Sequence, residues 1–106
     1  MIHNIMRYLT IIPNYTGSCI TEDFKGEVVL STLDLPIDFI KEIEEWHLRY
    51  RKIIPLNEQQ RKAQMLEIEI LDVQGIYLSK RLEELISEET KVKYFSEGKL
   101  KYLDND

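Results

Sequence analysis

One cysteine and two histidines are the only thiol and imidazole groups in the chain. Cys19 with His47, or with His3 near the start, is therefore the pair from which a thiol nucleophile and its base could be built. A catalytic thiol needs a base or a positive field to lower its pKa. Nothing in the spacing holds Cys19 near His47, and Glu22 and Asp23 close by would raise a thiol pKa. The favoured reading of Cys19 is a small, partly packed loop residue. A cysteine-dependent enzyme using Cys19 and His47 is kept as an alternative.

The stretch "NYTGSC", Asn14 to Cys19, invites two further chemical readings. A phosphate cradle needs several glycines and a helix opening directly after them. Here one glycine is followed by "CITEDFKG", which does not open a helix. A lipidated cysteine needs an apolar signal upstream. "MIHNIMRYLTIIP" is broken by Arg7 and Thr10 and stopped by Pro13, so neither lipidation nor secretion is expected. A turn is what remains.

Metal binding has no better footing. The histidines are far apart, and the acidic residues follow helical spacing rather than forming a ligand cluster. Glu44 and Glu45 point to different faces of a helix. Neither a metal nor a cofactor is expected. Lys91, Lys93, Lys99 and Lys101 alternate with apolar residues, which predicts a lysine face and a tyrosine face on opposite sides of a hairpin. Nucleic-acid platforms place cations and aromatics together, so the pattern reads as a lysine-protected surface. Trp46 and Tyr50 lie one helical turn apart. They read as core, with an interface anchor on an accessory subunit as the rival.

Bulk properties agree with a binding role. A chain of 106 residues fits a single domain spanning 1–106, large enough to bury a core without metals or disulfides. A lone cysteine fits a reducing compartment. The formal charge of −5 argues against a general nucleic-acid binder and suits a basic protein partner. No run approaches the roughly 18 apolar residues of a membrane span, so a cytoplasmic protein without membrane contact is expected.

The elements that must position these groups follow from periodicity. "RYLTII", Arg7 to Ile12, reads as an interior strand because both of its faces are apolar. Asn14 to Gly26 reads as loop, and Glu27 to Leu30 as a short strand or an extended edge segment. Asp38 is the expected N-cap of a first helix, whose stripe runs through Ile40, Ile43, Trp46 or His47, Tyr50 and Ile53. Asn57 is the expected cap of one longer second helix. Its stripe takes in Met65 or Ile68, then Leu71, Leu78, Leu82 and Leu85, with Gly75 allowing close approach of another backbone. Ile70, Val73, Ile76, Tyr77 and Ile86 widen that stripe. "MLEIEIL" also alternates like a strand, but the helical phase continues to Ile86. "KVKYFSEGKLKYL" predicts a hairpin with Gly98 at positive φ. The expectation is a two-layer α+β fold. A three-stranded antiparallel sheet, four-stranded if residues 27–30 form a strand, packs on a two-helix hairpin in the order β-(β)-α-α-β-β.

Several pieces together carry a resemblance to a family. They are "IIPNYTGS", "LPIDFIKEIEEWHLRY" with Trp and Tyr four apart, "GIYLSKRLEELI" and "KVKYFSEG". Their order resembles a broad set of small bacterial proteins, among them immunity proteins encoded beside toxins, including those of contact-dependent growth inhibition. The second helix departs from the pattern, since "NEQQRKAQMLEIEI" replaces a shorter approach bearing an aromatic. The resemblance implies a non-catalytic cytoplasmic protein that binds and blocks a cognate toxin domain, a basic nuclease being the expected class. Acidic charge then suggests Glu22 and Asp23 in the loop, and Glu42 and Glu45 on the first helix, as partner contacts.

Overall fold

The computed structural model describes residues 6–103. His3 and the polar tail from Asp104 lie outside the described residues. Five strands run in chain order: β1 (Arg7–Ile11), β2 (Ile20–Glu22), β3 (Gly26–Glu27), β4 (Thr90–Ser96) and β5 (Lys101–Leu103). Three helices lie between β3 and β4: α1 (Ile37–Tyr50), α2 (Glu58–Ala63) and α3 (Met65–Leu85). A short 3₁₀ turn, Leu30–Leu33, precedes α1.

The sheet is mixed, in the order β3-β2-β1-β4-β5, with β1 and β4 parallel and the other neighbours antiparallel. This overturns the expected three-stranded antiparallel sheet on a two-helix hairpin. Adjacent parallel strands need a long crossover, and the three helices supply it. The expected interior position of β1 is found, but β2 fills its second edge. That strand lies inside the stretch read as loop. Its pairing rests on backbone bonds such as Ile12 N–H to the Cys19 carbonyl at 2.8 Å. Only Glu27 of the expected edge segment is strand, joined by Gly26 from the stretch read as loop, and Leu30 already belongs to the 3₁₀ turn.

The helices cover one face of the sheet. Leu9, Ile11, Val92 and Tyr94 are buried there against Ile43, Trp46, Leu71, Leu78 and Leu82. Trp46 and Tyr50 are fully buried, so the face proposed for an accessory-subunit contact is core. The Trp46 indole N–H donates to the Leu71 carbonyl at 2.8 Å and ties α1 to α3.

Helix ends depart from expectation in informative ways. The cap residue of α1 is Pro36, and Asp38 lies inside the first turn without capping it. The fixed φ of Pro36 already sets the entry of the chain into the helix. Asn57 caps as expected, with Gln60 completing a reciprocal pair of bonds at 3.0 and 2.8 Å. The helix it opens is interrupted at Gln64 (φ −104°, ψ 19°), so the long second helix is two.

Inside the core, Asp72 on α3 accepts from the Tyr50 and Tyr94 hydroxyls at 2.8 and 2.6 Å, and from Ser96 at 2.7 Å. Burial pushes the Tyr50 hydroxyl up to about 12 and raises Tyr94 further. This network also shapes the turn after β4. Gly98 N–H donates to the Tyr50 hydroxyl at 2.8 Å, and Lys99 N–H to Ser96 Oγ at 3.0 Å. Gly98 is therefore needed for close packing and not for positive φ. A Cβ there would meet Ile68 at 2.5 Å, and the left-handed residue is Leu100, at φ 56°. Gly75 is on the packing face as expected, but what it admits is the Tyr94 ring rather than a backbone.

Candidate functional site

The segment "NYTGSC" is a buttressed turn. The Asn14 side chain donates to the Ser18 carbonyl at 3.1 Å, and Ser18 Oγ accepts from Ile20 N–H at 3.0 Å. Ser18 N–H donates to Glu27 at 2.7 Å. Gly17, at φ 77°, brings the backbone so close to that carboxylate that a Cβ would lie 2.6 Å from it. The last turns of α1 hold the other side. Arg51 donates to the carbonyls of Asn14 at 3.2 Å and Gly17 at 3.4 Å. His47 Nε2 lies 3.0 Å from Asn14 N and 2.9 Å from its carbonyl oxygen.

This turn, the chain from Val29 to Ser31 and α1 enclose a cleft of about 600 Å³. Cys19 and His47 both contribute to its wall, so the fold brings together two residues far apart in sequence. It does not make them a catalytic pair. Cys19 is 1% exposed, more deeply buried than a partly packed loop residue, and burial pushes its thiol up to about 12. Burial and then the nearby Arg51 charge lower the pKa of His47. Through Nε2 the ring is tied to the Asn14 backbone. Thus the thiol is held protonated and the imidazole is bound to backbone, the opposite of an activated nucleophile and its free base. Among the described residues, no three of His, Cys, Asp and Glu converge as metal ligands.

What the cleft offers is shape and charge. Its apolar lining includes Leu30 and Ile40, with Val29 and Leu48 standing out at 55% and 61% exposed. Glu27 and Glu44 supply carboxylates on opposite walls. The Arg51 guanidinium is already engaged by two carbonyls. A largely apolar lining with the Glu27 and Glu44 carboxylates beside the Arg51 charge can receive an apolar stem with a polar or basic tip.

The four predicted contact residues fare differently. Glu22 is spent internally, since Arg7 binds it in a fork at 2.9 and 3.2 Å and its side chain is 10% exposed. That pairing lowers its pKa, through the hydrogen bond first. Asp23 is exposed in the β2–β3 turn. Glu45 is exposed on α1 and Glu42 half-buried there. Sequence reasoning missed Glu27 and Glu44 as the acidic walls of one cleft. It also missed Phe24, which stands fully exposed at the β2–β3 tip with φ 66°, an unusual conformation for a bulky residue. The only local signal was an aromatic between charged turn residues.

The lysine hairpin also needs correction. In β4, Lys91, Lys93 and Phe95 share the open face, and register places Tyr8 beside Lys91 and Tyr102 beside Phe95. Cations and aromatics therefore stand together, and Lys93 Nζ lies 5.7 Å from the Tyr102 ring centroid. Lys99 is turned inward to Glu69 at 2.7 Å. The separation inferred from alternation failed because the turn between the paired Ser96 and Lys101 sets odd-numbered residues of β4 opposite even-numbered residues of β5, which puts Tyr102 on the lysine face.

Comparison with protein-family models and with curated proteins finds no match to either. No helix among the described residues is long and apolar enough to cross a membrane.

Proposed function

We propose that the chain is a cytoplasmic immunity protein, a binding module rather than an enzyme. It neutralises a cognate bacterial toxin by covering that toxin's active site. A basic nuclease domain is the expected target. The observation that carries this reading is the cleft between the Asn14–Cys19 turn and α1, apolar in its floor and acidic at Glu27 and Glu44. A basic partner would be steered by Glu44, Glu45 and Asp23, and anchored by Val29, Leu48 and Phe24. The resemblance carried by the sequence pieces from "IIPNYTGS" to "KVKYFSEG" supports the same reading.

The test is co-purification with the toxin domain encoded by the neighbouring gene, together with rescue of cells expressing it. Binding and rescue are expected, with Leu48→Arg weakening affinity at least about tenfold. Absence of a toxin-like neighbour, with no rescue of toxicity, sinks the proposal. The cysteine-enzyme reading is checked by thiol titration. A Cys19 that reacts rapidly at neutral pH would revive it.

A further inference from the structure

Of the three helices, only α2 buries none of its residues. Its six residues fall well short of the ~12–15 at which an isolated helix is even marginal in water. The Asn57–Gln60 cap and the Glu58–Lys62 ion pair shape it but are internal to it. Clefts of about 560 and 460 Å³ flank it, one toward the end of α1 and one toward the turn after β4. Packing beside it is therefore sparse. What fastens it is Arg61, whose side chain is 12% exposed. The guanidinium donates to the Leu56 and Ile54 carbonyls, each at 2.9 Å, and to the carbonyl and carboxylate of Glu97. One side chain thus ties α2 both to the chain before it and to the turn after β4. Among the described residues, no other side chain of α2 makes a hydrogen bond or ion pair outside the helix and its cap.

We propose that α2 is a hinged strap, latched by Arg61 and able to open while the rest of the fold stays intact. Hinges are loop or element-terminal residues that absorb a change in φ and ψ. Asn57 (φ −79°, ψ 177°) and Gln64 (φ −104°, ψ 19°) occupy those positions. The chain outside both hinges is anchored, since Leu56 packs on the core and Ile68 is fully buried. Leu56 lines both clefts, so lifting α2 joins them into one groove with Ile53 toward one end and Met65 toward the other. The turn after β4 has its own supports. Gly98 N–H donates to the Tyr50 hydroxyl and Lys99 N–H to Ser96 Oγ, whether the strap is closed or open. Opening therefore breaks the Arg61 bonds and one short helix, and exposes no buried residue of α2. Segments of that kind open locally, well below the cost of global unfolding. The strap is separate from the Glu27–Glu44 cleft and independent of the function proposed for it.

Native-state hydrogen exchange of the full chain tests the strap. The amides of Arg61 and Gln64, bonded to the Asn57 and Gln60 carbonyls, report on α2. Those of Leu71, Leu78 and Leu82 report on the buried part of α3. In wild type the α2 amides should exchange on the order of a hundredfold faster than the α3 amides, at a rate indifferent to low urea. Arg61→Gln, which removes charged hydrogen bonds, should speed the α2 amides by about tenfold more. It should leave the α3 amides and Gly98 within about twofold of wild type. Glu97→Ala removes one acceptor of the latch and should act in the same direction more weakly, which keeps the test open if Arg61→Gln does not fold. Equal exchange in α2 and α3, with the same urea dependence, overturns the proposal. An Arg61→Gln variant whose α2 amides are unchanged overturns it too. So does one in which α2 and α3 loosen together, because Arg61 would then hold the whole fold rather than a strap.

Discussion

The inner and outer faces of α3 reverse the usual expectation of a surface helix. The inner face buries an aspartate, a serine and a glycine among its leucines, whereas the outer face exposes Leu66, Ile70, Val73 and Tyr77. The difference teaches that burial here was decided by fit and hydrogen bonding as much as by polarity. Asp72 is tolerated inside because two tyrosines and a serine donate to it, and Ser79 because it donates to the Gly75 carbonyl at 3.0 Å. The outer residues meet nothing comparable within one chain.

The inner face should be the fragile one. Asp72→Ala, which strands three buried hydroxyl groups, is expected to cost about 3 kcal/mol or more in urea unfolding. A loss below about 1 kcal/mol would mean that the network contributes little. Gly75→Ala comes next. Its Cβ would lie 2.2 Å from the Tyr94 ring, which Asp72 holds in place. Overpacking of about 1–3 kcal/mol should outweigh the gain of about 1 kcal/mol in helix propensity. A stabilised Gly75→Ala would show that the ring moves freely.

Acid should erode contacts outside that network. Glu22 has a lowered folded-state pKa, so its contribution is complete above the unfolded value and is lost as pH falls through the folded one. His47 is lowered too, and its contribution fades as pH drops below the ordinary histidine value. Stability of wild type should therefore fall on acidification in two stages, the His47 stage first. Glu22→Gln should remove the lower stage and cost about 1–2 kcal/mol at neutral pH, measured by denaturation at several pH values. The smallest effect is expected on the outer face of α3. Val73→Gln should change the stability of the monomer by less than about 0.5 kcal/mol. A larger loss, read by urea unfolding at concentrations where the chain is monomeric, would show that the face is packed after all.

Much of the helical architecture was legible because it is periodic and local. The α1 stripe through Ile43, Trp46 and Tyr50, the Asn57 cap and the helical phase of Ile68, Leu71, Leu78 and Leu82 all rest on neighbours a few residues away. The sheet was less legible. Strand β2 has three residues and is recognised only through its partner β1, and the parallel pairing of β1 with β4 joins segments separated by all three helices. Of the site, the acidic character was legible, but the cleft was not. Glu27 and Glu44 face the same space only because His47 and Arg51 hold the Asn14–Cys19 turn against α1.

By itself, the sequence determined the two main helical stripes, the buried Trp46 and Tyr50, the acidic balance and the absence of a disulfide framework. Each of these depends on spacing or composition. Tertiary structure alone decided which carboxylates were spent internally and which face of an apolar helix went unused. It also decided whether Cys19 and His47 became chemistry or wall. Those outcomes depend on pairing and desolvation among residues far apart in the chain. A lone cysteine beside a distant histidine therefore ended as a protonated thiol under a turn, while the acids that flank the cleft came from a strand and a helix.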